Sequence, residues 1–99
     1  MAAAGMIWSE PELETIVVHK SAPYDVYIGR PSKWGNPFPL TRFSRSEAIQ
    51  KYSEWIVTQP ELINSLYELR GKRLGCWCKP AACHGDVLVN LIKDLEEKI

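Results

Sequence analysis

Cys76, Cys78 and Cys83 are the only cysteines in the 99-residue chain, and His84, Lys79 and Asp86 stand among them in one run. That run reads Leu74-Gly75-Cys76-Trp77-Cys78-Lys79-Pro80-Ala81-Ala82-Cys83-His84-Gly85-Asp86. Three chemistries suit these residue types. Thiolates and an imidazole are zinc ligands. Cys76 and Cys78 would project to one face of a strand, however, while the neighbours Cys83 and His84 would both have to turn toward one ion. Structural zinc sites instead use two ligand pairs set further apart. No metal ligand is assigned, and no cofactor is implied. A thiol at a helix N-terminus beside basic groups is a candidate nucleophile. Cys83 fits that electrostatically, although adjacent residues rarely point at each other, which makes His84 a poor base for it. In the third reading the thiols are small hydrophobes in the core. Cys76 is read this way, and His84 is expected to face a ligand or to fix its loop by a hydrogen bond.

The basic residues form a second pattern. Arg30, Lys33, Arg42 and Arg45 follow one another with no acid between them, as do Arg70, Lys72, Arg73 and Lys79. These eight are two-thirds of the twelve basic side chains in a chain of net charge zero, so cation is concentrated rather than mixed. If the two stretches meet in space they favour an anionic partner. The first stretch includes Arg30-Pro31-Ser32-Lys33-Trp34-Gly35-Asn36-Pro37-Phe38-Pro39. Its prolines remove donors and restrict their neighbours, so no regular element survives there. A rigid loop carrying Arg30, Lys33, Trp34 and Asn36 directly after a strand is a binding surface rather than a spacer. Phe38 is expected in the core.

The elements that must position these residues are legible from period and punctuation. Residues 1–13 read as an arm and 14–99 as one domain, too short for a second core. Strands are expected near 14–20 and 24–30, rich in β-branched and aromatic residues and separated by a turn at Ser21-Ala22-Pro23. Ser44 and Glu47 form a capping-box pattern ahead of a helix near 45–58. Pro60 opens a second helix near 60–70, which Gly71 ends. A third strand is expected near 72–78, and Asp86 opens a last helix near 86–98 whose stripe is Leu88, Leu91, Ile92, Leu95 and Ile99.

A strand, two helices and a further strand make a crossover connection, which joins parallel neighbours. The strands ending near Arg30 and Cys78 are therefore expected side by side, with the first strand antiparallel through its short turn. This is an α/β fold with a small mixed three-stranded sheet and three helices. The loops after Gly29 and after Cys78 then form two walls of one crevice at the carboxyl edge, where ligands of open α/β sheets bind. Lys79, Arg30, Lys33 and backbone amides near His84 to Val87 are expected to hold a phosphate or carboxylate. Trp34 is expected to stack on a flat ring, Gly85 to permit close approach, and Asp86 to cap the helix or accept from a ligand. With Asn36 and Cys78 these are the candidate site residues.

The segment from Val26 through Gly29-Arg30-Pro31-Ser32-Lys33-Trp34-Gly35-Asn36-Pro37-Phe38, and the run Cys76-Trp77-Cys78-Lys79-Pro80 to Cys83-His84-Gly85-Asp86, resemble the family designated domain of unknown function 4326. The similarity extends from about Val26 to Ile92. It implies a small cytosolic protein of bacterial or bacteriophage type.

The remaining bounds are exclusions. No apolar run approaches the roughly 20 residues of a membrane span, and the N-terminal MAAAGMIW lacks the pattern of an export signal. An odd number of cysteines in a domain large enough to fold without staples points to a reduced, cytoplasmic setting. The expected function is binding of an anionic small molecule, a nucleotide or nucleoside phosphate, as an enzyme or as a sequestering or sensing protein. The alternative is a zinc-stabilised interaction module built on the cysteine cluster. Nucleic-acid binding through the same patch ranks last, because the crevice suits something small and no reading helix is apparent.

Overall fold

The computed structural model describes residues 14–79 and 81–97. The expected N-terminal arm, and Pro80, lie outside the described residues. In chain order the elements are β1 (Ile16–His19), β2 (Val26–Tyr27), α1 (Arg45–Ile56), α2 (Pro60–Asn64), a 3-10 turn (Leu66–Leu69), β3 (Arg73–Cys76) and α3 (His84–Glu97). The α/β architecture of three strands and three helices is the one the sequence pattern requires.

The sheet has the order β1-β3-β2, with both outer strands parallel to β3. Val26 and Tyr27 stand opposite Leu74 and Gly75, so the crossover places β2 beside β3 as expected. The expected antiparallel pairing of β1 is corrected. The turn after His19 does close, with the Ala22 N–H donating to the His19 carbonyl at 2.9 Å. It sends the chain across the sheet instead of back along β1, and β1 pairs parallel with β3 on its other edge. Leu74, Gly75 and Cys76 are all buried, and a buried central strand satisfies its backbone best with a ladder on each side. The return path crosses β3 at Gly75, where an added Cβ would sit 2.7 Å from Cγ of Tyr24. A glycine at that position is what lets so short a connection pass.

Side-chain alternation along β3 sends Leu74 and Cys76 to the opposite face from Gly75. Both are fully buried, in one core with Ile28, Tyr52, Ile56, Leu66, Leu69, Leu88 and Ile92. In α1 the buried face is Ala48, Tyr52 and Ile56, at the four-residue spacing of one helix stripe. That helix begins at the expected capping box, Ser44 accepting from the Glu47 N–H and Glu47 from the Ser44 N–H. The helix expected over 60–70 is two pieces. Ser65 returns its hydroxyl to the Glu61 carbonyl at 2.8 Å and its N–H to that of Leu62 at 3.0 Å, tightening the chain into the 3-10 turn. Gly71, at φ 71°, ends it. No helix among the described residues is long and apolar enough to cross a membrane.

Candidate ligand-binding site

Parallel pairing of β2 and β3 brings their following loops to the same edge, and two hydrogen bonds lock them together there. Trp77 donates its indole N–H to the Tyr27 hydroxyl, which in turn donates to the Arg30 carbonyl at 3.2 Å. His84, at the start of α3, reaches back to the Ile28 carbonyl through Nε2 at 2.8 Å. A carbonyl oxygen only accepts, so Nε2 carries the proton and Nδ1 is left bare in the neutral ring. Burial lowers the His84 pKa below the ordinary 6.5, the bond to Ile28 opposing this and the nearby Arg30 charge adding to it. The imidazole is thus held neutral at pH 7, edge-on to Tyr52 with ring centroids 4.9 Å apart.

Between these loops and α1 lies a cavity of about 280 Å³, at the lower edge of the roughly 300–1,000 Å³ typical of small-molecule pockets. Its innermost lining includes Gly29, Ala48 and His84, all buried. Phe38, Ile49 and Cys78 form half-buried walls, and Arg30, Leu40, Arg45 and Trp77 are exposed at the rim. The lining contains two arginines and no carboxylate. Arg45 gives one N–H to the Ala82 carbonyl at 3.2 Å. The Arg30 guanidinium has no hydrogen-bond or ion-pair partner among the described residues, and its charge adds to the lowering of the His84 pKa.

The loop wall is stiffened from below. Asn36 donates to the Ala48 carbonyl at 3.2 Å and accepts from the Phe38 N–H at 2.8 Å, which pins the proline-rich segment to α1. Tyr52 donates to the Trp34 carbonyl at 2.8 Å. Desolvation raises the Tyr52 pKa well above the ordinary 10, so it is a hydrogen-bond donor here and not a titrating group.

The profile of one protein family, the domain of unknown function (DUF4326), matches residues 15–94, taking in β1 through most of α3 and both walls of the cavity. The chain belongs to that family. It is also 37% identical over 84 residues to an uncharacterised 12.4 kDa protein from the nrdA-td intergenic region of Enterobacteria phage T4, covering 80% of this chain and 78% of that protein. No solved structure matches it.

In this DUF4326 chain, Arg30, Asn36, Cys78 and His84 meet in the cavity as expected. The other expected site residues do not. Trp34 is only 2% exposed and belongs to the core, so it offers no stacking face. Lys33 turns away to Glu68, at 2.9 Å. Lys79 pairs with Asp86 at 3.3 Å, and both border a separate, shallower hollow beside β1. Two of the helix amides expected to seat an anion, those of Gly85 and Asp86, are engaged within the chain. Gly85 N–H donates to Cys83 Sγ at 3.3 Å and Asp86 N–H to the Cys83 carbonyl at 3.0 Å. Asp86 itself accepts from the Cys83 N–H at 3.2 Å. Its carboxylate therefore complements the dipole of a helix that starts two residues earlier than the pattern suggests. Gly85 does permit close approach, but of α3 to the sheet: a Cβ there would lie 2.8 Å from Ile28 Cδ1.

The cysteines separate. Cys76 and Cys83 face each other in the core with their sulfurs 3.2 Å apart, and burial together with the Cys76 contact pushes the Cys83 thiol up to about 12. That is the wrong direction for a nucleophile. Among the described residues no three His, Cys, Asp or Glu side chains gather to hold a metal ion. Sequence reading missed Phe38, Leu40, Arg45, Ile49 and Trp77 as lining residues. Arg45 carried a usable signal, sitting at the first position of a capped helix at the end of the acid-free basic stretch.

Proposed function

We propose that this cavity binds an anionic small molecule of the nucleotide class. The observation that carries the reading is the lining: two rim arginines, one of them without a partner among the described residues, over aromatic and aliphatic walls, with no acidic side chain. A guanidinium fork matches the planar, multidentate geometry of phosphate, and exposed arginines freed from carboxylates are available to make those bonds. Phe38 and Trp77 supply flat surfaces against which a heterocycle can lie. The cavity is a compact pocket of about 280 Å³ and not an extended groove, which ranks nucleic-acid binding behind a small molecule. Three free thiols fit a reducing, cytoplasmic setting.

The zinc-module reading has weaker support, since the potential ligands face different ways. Cys76 and Cys83 turn into the core, Cys78 lines the cavity and His84 commits Nε2 to Ile28. Isothermal titration with a panel of nucleoside mono- and diphosphates tests the proposal, with Arg30→Ala and Arg45→Ala as comparisons and metal analysis of the same preparation. Micromolar binding that both substitutions weaken supports it. Absence of binding to every phosphorylated compound, or stoichiometric zinc, overturns it.

A further inference from the structure

Resting on the nucleotide reading, we infer that the cavity takes its ligand ring-first: a hydrogen-bond donor of the heterocycle meets Nδ1 of His84 at the floor, and the anionic group stays at the rim with Arg30 and Arg45. The cavity is graded by depth. Arg30 and Arg45 are exposed, Trp77 is 63% exposed, and His84 is 8% exposed. Positive charge therefore lies only at the entrance, and the single polar ring at the bottom is uncharged.

The direction of the His84 hydrogen bond sets what the floor can recognise. Because Nε2–H is spent on the Ile28 carbonyl at 2.8 Å, the atom left for a ligand is the acceptor Nδ1. That nitrogen has no hydrogen-bond partner among the described residues, and His84 lines the cavity. A phosphate, which at neutral pH offers acceptors, finds no partner in that nitrogen. A ring N–H or exocyclic amine does find its complement. Entry with the phosphate first would bury charge against a neutral acceptor and leave both arginines unused, at a large desolvation cost. Entry with the ring first places each group opposite its partner and leaves Phe38 and Trp77 beside the aromatic plane.

The experiment is nitrogen-15 NMR of the two His84 ring nitrogens, titrated with nucleoside 5′-monophosphates, ribose 5-phosphate and inorganic phosphate. In the free protein the Nε2-protonated tautomer is expected. On adding a nucleotide the Nδ1 resonance should move while Nε2 stays, and the two ring-free phosphates should leave Nδ1 unmoved. His84→Gln keeps a donor for the Ile28 carbonyl and removes the Nδ1 acceptor. It should weaken nucleotide binding roughly ten-fold, the consequence of one buried donor left unpaired, with unchanged affinity for ribose 5-phosphate. Nucleotide binding with a stationary Nδ1, full affinity in a folded His84→Gln variant, or a proton on Nδ1 in the free protein overturns the ring-first inference and spares the nucleotide reading. Failure of every nucleotide to bind overturns both.

Discussion

His84 and Ile28 are joined by a 2.8 Å hydrogen bond from the imidazole Nε2 to the backbone carbonyl, across 56 positions of sequence. The bond ties the first residue of α3 to the residue that follows β2, beside the cavity that His84 lines. It also makes a titration prediction. With its pKa lowered below 6.5 by burial, His84 stays neutral in the folded chain at pH values where an unfolded chain would protonate it. The unfolded state then binds more protons, and stability falls as pH drops below about 6.5 toward the lowered folded value. Urea unfolding across pH 4.5–7.5 should show this slope, and His84→Gln should flatten it. An equal slope in both proteins would refute the assignment.

Arg30→Ala and Arg45→Ala should each weaken binding of a nucleoside phosphate by roughly 10- to 100-fold, the range for losing a charge-assisted hydrogen bond. Lys33→Ala and Lys79→Ala should leave it unchanged, because those lysines are paired with Glu68 and Asp86 away from the cavity. Calorimetric titration of the four variants separates the structure's assignment from one based on basic residues in general.

The two tryptophans should behave oppositely. Trp34→Ala removes a side chain 2% exposed and should destabilise the fold by about 3–5 kcal/mol. Trp77→Ala removes a ring 63% exposed and should cost far less stability while reducing ligand affinity. Thermal unfolding measures the first difference and titration the second.

Gly75→Ala should destabilise by about 1–3 kcal/mol through overpacking against Tyr24, although alanine ordinarily improves on glycine within a strand. Placed in a Tyr24→Ala background, the same change should become neutral or stabilising. A double-mutant cycle by denaturant unfolding reads the coupling directly. No coupling would mean that the return segment does not cross β3 at Gly75.

Much of this arrangement is written locally in the chain. The Ser44–Glu47 capping box, the positive-φ Gly71 and the apolar stripe containing Leu88 and Ile92 need only neighbours within a few residues, so period and punctuation reveal them. The crossover rule added one long-range fact, the parallel pairing of β2 with β3, and with it the meeting of Arg30 and Cys78 in one cavity. What each side chain does within that neighbourhood was not legible. Trp34 and Trp77 are the same residue type in similar loops, yet one fills the core and the other edges the cavity. Lys79 and Arg30 carry the same charge, yet Asp86 claims the first and nothing among the described residues claims the second.

The sequence by itself determined the elements, their order and the edge at which two loops converge, because hydrogen-bonded turns and amphipathic periods are properties of short segments. Only the tertiary structure decided that β1 joins β3, that the Gly85 and Asp86 amides are already engaged, and that the His84 ring offers an acceptor rather than a donor. Those outcomes depend on competition among distant partners for one strand edge, one set of amides and one imidazole proton, and that competition is settled only when all partners are packed together.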